Sequence, residues 1–379
     1  MTITGGTFNS GANSVWNIGA VSFAAGENKV FVGNSGSILT FGSLSLVGMN
    51  GVASATAVTN GFTIFGNGGS LANRTTLTIG AGGLSLDGSI IHLSAGTSGS
   101  VLVLNGDVTT SGTTASLITR EAGTGLLPYV SLSGTTGVVS RTFTVGGGGA
   151  DLSIAPVIYN GAATTASLIK NGAGTLILTG TEANTYTGDT IINAGTLRLN
   201  KTAGVNSVAG SIIANTGGTL QLSTSNQIAD TAGITLNGGV IAGWSTDETI
   251  AFYTQNSGGI TGSNIGHVTI TGALTLAGGS ILTINSNPGS ATPASWNVGS
   301  AILTGADILI GGSNGAANPR TSLTIGSGGL FMAGRTITMN VGDAGVVLYL
   351  NGDFTGTGTN SFNTNATSSV QPLLEIGSA

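Results

Sequence analysis

The stretch GAGTLILTGTEANTYTGDTIINAGTLRL, residues 172–199, decides the fold because it repeats itself. The tripeptide Gly-Thr-Leu occurs twice within it and once downstream, at closely similar spacings: Gly174, Thr175, Leu176; Gly195, Thr196, Leu197; and Gly218, Thr219, Leu220. Apolar and polar residues alternate after the first two copies, which is the pattern of a half-buried β-strand. A strand pattern that recurs at such a short and regular period indicates a solenoid or a propeller.

Of these two architectures, the sequence favours the parallel β-solenoid. A propeller blade needs four antiparallel strands, about 40 residues and regular aromatic anchors. Here the interval from Gly174 to Gly195 is only about half as long as one blade, and aromatic residues make up only 5% of the chain. We therefore predict an all-β fold, one continuous elongated rod over residues 1–379 with roughly 17 coils, in which Leu176, Leu197 and Leu220 form one inward-facing column.

Composition supports a folded chain and excludes several classes of protein. Only 6% of the 379 residues are charged, 67 are Gly, and 40% are hydrophobic, which is too many for a disordered chain. Apolar runs such as 346–350 are much shorter than the roughly 18 residues of a transmembrane helix. The net charge of −5, with nine scattered Lys and Arg residues, provides no basic face for nucleic acid. The chain has no Cys, so it contains neither disulfides nor thiolate chemistry.

A second level of repetition relates distant parts of the chain. LTIGAGGLSLDGSIIHL at 77–93 matches LTIGSGGLFMAGRTITM at 323–339 without gaps, so that position 77 corresponds to position 323, and 268–284 has the same layout. The match extends to an internal duplication of 74–107 onto 320–353. Because the second long period is incomplete, we expect the chain to be a segment of a larger fibre protein or to stack end to end.

The segment 168–199 combines its two Gly-Thr-Leu sets with a pattern of polar and glycine positions: Lys170, Gly172, Gly180, Asn184, Tyr186, Gly188, Thr190 and Asn193. In this pattern it resembles the autotransporter-associated β-strand repeat, also called the passenger-associated transport repeat. The segment is the best-preserved repeat of the chain and covers less than a tenth of it. The resemblance implies a secreted or surface-displayed bacterial β-helical passenger, a group that includes adhesins, stalks and very long surface proteins.

Two pairs of acidic residues are candidates for the clustered carboxylates of a polysaccharide-cleaving β-helix. Asp247 and Glu248 are the only adjacent pair, and we interpret them as part of a solvated loop beside Trp244. Asp107 and Asp353 both follow Asn-Gly, but we expect them to lie many coils apart, beyond the about 5 to 10 Å between glycosidase carboxylates. We predict that they mark duplicated turns in which Asn-Gly supplies a positive φ.

Metal and nucleophile motifs are sparse. The sequence GGGGAD at 146–151 matches the start of a calcium-binding nonapeptide repeat, but such sites form between tandem copies, so we interpret it as a glycine corner. His92 and His267 are the only histidines, and neither has a second ligand nearby in sequence. We expect both on polar outer faces rather than in a metal site or a Ser-His-Asp triad.

We interpret the aromatic and asparagine side chains as packing and hydrogen-bonding residues of the coils rather than as ligand-binding residues. We expect Tyr186 to pack over a turn or along the column rather than to stack on a sugar, and the three tryptophans to be packing residues: Trp16, Trp244 and Trp296. Asn193 and Asn215 are predicted to stack in ladders at coil corners, with each side-chain amide bonding to the next coil.

These observations together predict a non-enzymatic structural or interaction protein without catalytic residues, cofactor or metal. We expect it outside the cell or on a bacterial cell surface, as a fibre, stalk or filament segment that associates with itself through unpaired end coils. The alternatives are an adhesin passenger that binds glycans or host and matrix surfaces, and a β-helical polysaccharide-degrading enzyme. The expected partners are further copies of the chain and surface glycans or matrix, not nucleic acid.

Overall fold

The computed structural model describes most of the chain in these ranges: 6–24, 29–34, 36–49, 53–54, 57–58, 61–67, 74–94, 99–120, 126–242, 244–261, 266–286, 293–312, 320–341, 345–366 and 371–377. Every regular element in them is a β-strand, which confirms the predicted fold class. The chain divides into two compact units, unit 1 from Met1 to Ala209 and unit 2 from Gly210 to Ala379. Among the described residues, no helix has the length and apolar character needed to cross a membrane.

The described residues of unit 1 form twenty-one strands, whose bounds are β1 Gly6–Ser10, β2 Val15–Ala24, β3 Lys29–Asn34, β4 Ile38–Val47, β5 Ala53–Ser54, β6 Ala57–Val58, β7 Phe62–Asn67, β8 Thr75–Ile79, β9 Leu84–Asp87, β10 Ile90–Leu93, β11 Ser100–Leu104, β12 Val108–Ser111, β13 Ser116–Arg120, β14 Tyr129–Ser131, β15 Val138–Thr144, β16 Leu152–Ile154, β17 Val157–Tyr159, β18 Thr165–Asn171, β19 Thr175–Gly180, β20 Thr190–Ile192 and β21 Gly195–Lys201. From β8 to β19 each coil supplies three strands. Strand β8 pairs with β11, β9 with β12 and β10 with β13, all in parallel. This stacking of one coil on the next is a parallel β-solenoid.

Unit 2 has the same parallel organisation, with strands β22 Ile212–Asn215, β23 Gly218–Leu222, β24 Ile234–Ala242, β25 Glu248–Ile250, β26 Tyr253–Thr261, β27 His267–Leu276, β28 Leu282–Asn285, β29 Ser295–Leu303, β30 Ile308–Gly311, β31 Thr321–Ile325, β32 Leu330–Ala333, β33 Thr336–Val341, β34 Val346–Leu350, β35 Phe354–Thr357, β36 Ser361–Ala366 and β37 Leu373–Ile376. Strand β29 is long and pairs with both β31 and β32. In unit 1 the long strand β4 pairs in the same way with β8 and β9. Strands β8 and β31, like β9 and β32, begin at positions that correspond in the sequence duplication.

The predicted count of roughly 17 coils is too high, because the chain makes about 12 turns. The register shows why. Leu176 pairs with Leu197, at the spacing of the Gly-Thr-Leu sets on which the prediction rested. Elsewhere the coil is longer: Val101 pairs with Tyr129. Longer connections between the strands take up the additional residues without adding a turn.

The core is built from columns of side chains that successive coils place in register. Leu152, Leu176 and Leu197 are aligned on β16, β19 and β21, and all three are fully buried. Leu220 in unit 2 is also buried and aligns with Ile241 on β24. Along β19 and β21, the residues that alternate with these core leucines point outward and are half-buried, as the two-residue period of a strand requires.

The Asn-Gly-Asp turns differ from the prediction. Neither Gly106 nor Gly352 has a positive φ; the left-handed residues of these corners are Gly83, with φ of 80°, and Gly329, with φ of 75°. Glycine is required at position 106 for another reason, since a Cβ there would lie 2.4 Å from the carbonyl oxygen of Gly80. The backbone of the neighbouring coil thus approaches too closely for any side chain.

Candidate functional site

The residues of the family-like repeat 168–199 lie on β18 to β21 and form contacts between coils. Lys170 on β18 is fully buried, and its Nζ donates hydrogen bonds to the carbonyl oxygens of Asn171, Gly172 and Ala194, at 2.9, 2.7 and 2.9 Å. The Ala194 bond joins one coil to the next. Burial lowers the pKa of Lys170 to about 8, although the charge of Asp151 opposes this shift. Lys170 is therefore a buried cation that holds a coil corner.

Lys201 repeats this arrangement one coil later. It is buried on β21, and its Nζ donates to the carbonyl oxygen of Thr179 at 2.7 Å. Burial, with a smaller contribution from the charge of Arg120, lowers the pKa of Lys201 to about 8, while the charge of Glu182 opposes the shift. Neither buried lysine was expected from the sequence to act in this way. The only signal was that a chain with few charges places a lysine inside an alternating strand.

Asn184 and Tyr186 occupy the corner between β19 and β20. The Oδ1 atom of Asn184 accepts a hydrogen bond from the Ile158 amide at 2.9 Å, and its Nδ2 donates to the Ser207 carbonyl oxygen at 2.8 Å. One buried side chain thus joins the coil before it to the coil after it. The hydroxyl of Tyr186 lies 2.7 Å from that of Thr190 in a fully buried position, and burial raises the pKa of Tyr186.

The glycines of this repeat are required by close packing. A Cβ on Gly174 would lie 1.9 Å from the carbonyl oxygen of Gly146, and one on Gly195 would lie 2.4 Å from that of Gly172. A Cβ on Gly188 would meet the Ser167 hydroxyl oxygen at 2.4 Å. In each Gly-Thr-Leu set the threonine is half-buried and the leucine fully buried, which holds for Thr175, Leu176, Thr196, Leu197, Thr219 and Leu220. Gly218 begins β23 in a buried position.

The predicted asparagine ladders are present at the coil surface. Asn193 Nδ2 donates to Asn171 Oδ1 at 2.9 Å. A second ladder runs through Asn215, Asn237 and Asn256, with amide-to-oxygen distances of 3.5 and 2.8 Å. Each amide donates along the stacking direction, so the ladders add side-chain bonds to the backbone pairing.

Of the Asp247–Glu248 pair, only Asp247 is exposed to solvent as predicted. Asp247 is exposed, and its Oδ1 accepts hydrogen bonds from the His267 amide at 3.1 Å and from His267 Nδ1 at 2.9 Å. Glu248 instead begins β25 and is only 2% exposed. Its two carboxylate oxygens accept from the Gln227 and Ile228 amides, at 2.9 and 3.0 Å. The two neighbours thus face opposite sides of the strand, and the loop interpretation is wrong for Glu248.

The pKa values of these two carboxyl groups are shifted in opposite directions. The pKa of Glu248 is raised to about 7, because burial together with the charges of Asp230 and Asp247 outweighs the two backbone hydrogen bonds, which lower it. For Asp247 burial also acts to raise the pKa, but the hydrogen bonds and charge of His267 together outweigh it and lower the pKa.

The Asp-His arrangement lacks the geometry of a hydrolytic triad. Ser295 aligns with His267 on the next coil, as a nucleophile would. No hydrogen bond joins these two side chains among the described residues. The Asp247–His267 pair joins two neighbouring coils.

His92 alternates with the core residues Ile91 and Leu93 and so lies on the outer face of β10, but it is covered there rather than exposed. It is only 6% exposed, and its Nδ1 lies 3.0 Å from the hydroxyl of Thr119 on the next coil. Among the parts of the chain that the structure describes, no three His, Asp or Glu residues are grouped as metal ligands would be. The glycine run at 146–151 is a corner with positive φ at Gly148 and Gly149, and Asp151 accepts a bond from the Thr175 amide at 2.7 Å.

The tryptophans are not equivalent. Trp244 and Trp296 are fully buried and pack edge to face with ring centroids 5.3 Å apart, whereas Trp16 on β2 is 38% exposed. The packing interpretation is confirmed for Trp244 and Trp296.

Gln255 forms a further buried polar contact that the sequence did not indicate. Its Nε2 donates to the carbonyl oxygens of Gly278 and Ser280, at 2.8 and 2.7 Å.

Comparison with known proteins identifies the same segment, 168–199, whose contacts between coils are described above. The family model described as passenger-associated-transport-repeat matches residues 168–199, which confirms the resemblance seen in the sequence. The chain is 27% identical to the "Adhesin BmaC autotransporter" of Brucella suis biovar 1, in an alignment of 411 positions that covers 98% of the chain. It spans 11% of the length of that adhesin. No solved structure matches the chain.

Glu248 should make the stability of unit 2 depend on pH. Because the folded-state pKa of about 7 lies above the ordinary value of 4.5, the folded chain holds a proton between these values that the unfolded chain has lost. This contribution to stability is present below pH 4.5 and is lost as the pH rises through 7. The expected slope is about 1.4 kcal/mol per pH unit.

The measurement is urea unfolding at several pH values, followed by the fluorescence of the buried Trp244 and Trp296. Glu248→Gln should lose this slope, whereas Glu182→Gln, at a more exposed glutamate, should retain it. Equal slopes for the wild type and Glu248→Gln would show that Glu248 does not titrate in this window.

Proposed function

We propose that this chain is a β-helical segment of a bacterial surface adhesin, which holds a polar outer surface in a fixed arrangement for attachment. The passenger-associated transport repeat and the similarity to an autotransporter adhesin indicate an extracellular or cell-surface location. That relative is an adhesin, which favours a non-enzymatic role for the chain. Because the chain spans a small part of the relative, the attachment target is not transferred from it.

The observation on which the proposal rests is the way each coil fixes the next within unit 1. From β15 to β21 the pairing is parallel and in register. Lys170 and Asn184 add buried bonds between coils. The outward residues, by contrast, are largely small and polar, such as Thr175 and Thr196 on successive coils. A rigid interior with a repetitive outer face suits attachment, since binding then loses little conformational freedom.

Adhesion can be measured with beads coated with the purified chain and applied to cultured animal cells and to matrix-coated wells. The wild type should attach several times more beads than albumin does. A double variant, Leu176→Asp with Leu197→Asp, buries two charges in the core column and should lose adhesion because the coils no longer stack. Attachment of wild-type beads no greater than that of albumin beads would contradict the proposal.

We further propose that copies of the chain associate with one another through strand edges of unit 2. Strands β35 and β37 each pair with one strand among the described residues, β32 and β34 respectively. Large apolar side chains lie exposed on them, with Phe354 45% and Ile376 72% accessible. Exposed apolar side chains on strands of this kind favour the addition of a further strand, here from a second copy.

Sedimentation velocity over a range of concentrations tests this association. The wild type should shift toward larger species as its concentration rises, and Ile376→Lys should remain monomeric because an edge lysine opposes strand addition. Val138→Lys changes a similarly exposed valine on β15 and serves as the matched control. A wild type that stays monomeric at every concentration would eliminate self-association through this edge.

A further inference from the structure

A small groove crosses three successive coils on the outer face of unit 1. It lies over β4, β9 and β12 and encloses about 270 Å³. Its lining consists of Ser43, Leu44, Ser45, Ala81, Gly82, Gly83, Leu84, Ser85, Asp107 and Thr109. The two leucines are core residues, so the groove presents mainly hydroxyl groups, backbone and one carboxylate.

The hydroxyl groups form a column along the stacking direction. Ser45 on β4 aligns with Ser85 on β9, and Ser85 aligns with Thr109 on β12. Successive coils lie about 4.8 Å apart, so these hydroxyl groups recur at that spacing. Among the described residues, neither Ser45 nor Ser85 forms a side-chain hydrogen bond. Both hydroxyl groups can therefore donate to and accept from a ligand.

Two glycines form part of the groove floor, and close packing prevents a side chain at either position. A Cβ on Gly82 would lie 2.7 Å from the Cβ of Ser43, and one on Gly83 would lie 2.6 Å from the carbonyl oxygen of Asp107. Gly83 also has φ of 80°, which disfavours other residues. The glycines thus keep the space between the hydroxyl groups open.

Among the described residues, Asp107 is the only ionisable one that lines the groove. Its side chain is 57% exposed. One oxygen, Oδ1, accepts a hydrogen bond from the Thr142 amide at 2.9 Å and lies 3.9 Å from Arg141 Nη1. The other oxygen has no hydrogen bond among the described residues. A carboxylate at this position repels anionic ligands and accepts strong hydrogen bonds from the hydroxyl groups of a neutral ligand.

The equivalent surface of unit 2 shows that the fold itself does not require these hydroxyl groups. There Ile302 aligns with Phe331, and Phe331 with Thr355, in the positions of Ser45, Ser85 and Thr109. The floor is retained, since a Cβ on Gly328 would lie 2.8 Å from the Ser300 Cβ, as on Gly82 in unit 1. The two serines of unit 1 are therefore replaced by large apolar residues in the other copy without loss of the strand pairing.

We propose that the groove binds a neutral saccharide, through the hydroxyl groups of Ser45, Ser85 and Thr109 and the carboxylate of Asp107. The described residues that line the groove include neither an aromatic ring for stacking nor a cation for an acidic sugar, so the recognition proposed is by hydrogen bonds to ligand hydroxyl groups. This inference rests on the proposed adhesive function for its biological role. The binding itself is measured without cells, on the isolated chain.

The experiment is saturation-transfer NMR of the intact chain with glucose, galactose, mannose, cellotriose and maltotriose, each at about 10 mM, which saturates a site with a Kd near 1 mM. At least one sugar should receive saturation from the wild type. Ser85→Phe, which copies Phe331 of unit 2, should weaken binding about tenfold or more, and Asp107→Asn should also weaken it. Ser153→Phe, at a half-buried outward serine on β16, is the matched control and should bind as the wild type does.

Two results would overturn the proposal: no transfer to any of the five sugars, or equal transfer with the wild type and Ser85→Phe. Circular dichroism of Ser85→Phe confirms folding, so a lost signal reports on the groove. Beads that adhere while no sugar binds would eliminate the groove but retain the adhesive function. Sugar binding without bead adhesion would retain the groove and eliminate that function.

Discussion

The parallel, in-register pairing of one coil with the next is the constraint on which the rest of the structure depends. It places chemically similar residues above one another, as Leu176 is aligned with Leu197. Each position on a coil is therefore followed by an aligned residue about 4.8 Å away on the next coil. A residue that suits the interior must therefore suit the residues before and after it in the same column. This explains why the chain uses so few residue types and so many glycines at its corners.

The same constraint determines how the few buried polar groups are satisfied. In a stack of coils, a buried side chain can reach polar backbone groups of the neighbouring coil. Lys170 reaches the carbonyl oxygen of Ala194, Asn184 reaches that of Ser207, and Glu248 accepts two amides of the preceding coil. Each of these groups replaces a solvation shell with fixed backbone partners. The buried charges are thus connectors between coils, and the outer faces are left for small polar residues.

Part of this arrangement was predictable from the sequence because it follows from periodicity. The Gly-Thr-Leu sets predicted an all-β solenoid, and alternation predicted that the leucines point inward. The number of turns was not predictable, since loop lengths vary while the stacked strands keep their register, as between Val101 and Tyr129. The burial of His92 and Glu248 was also missed. Glu248 alternates to the inside of β25, which is visible only once the register is known, and His92 is covered on the outer face of β10.

Chemistry at the surface was even less visible in the sequence. The serines of the groove are ordinary in a chain rich in serine, and only the pairing of three coils brings Ser45, Ser85 and Thr109 into one column. Comparison of the two copies of the internal duplication separates structural from variable positions. The glycines of the groove floor are kept in both copies, whereas Ser85 is replaced by Phe331 in the second copy.

The register between coils can be tested directly, because the chain contains no cysteine. Thr179 and Asn200 are paired on β19 and β21, so Thr179→Cys with Asn200→Cys should form an intramolecular disulfide on mild oxidation. Ile177→Cys with Asn200→Cys is displaced by two positions, at a Cα separation of about 8 Å, and should keep its thiols. A disulfide in the second pair and not in the first would contradict the stacked register from which the whole account follows.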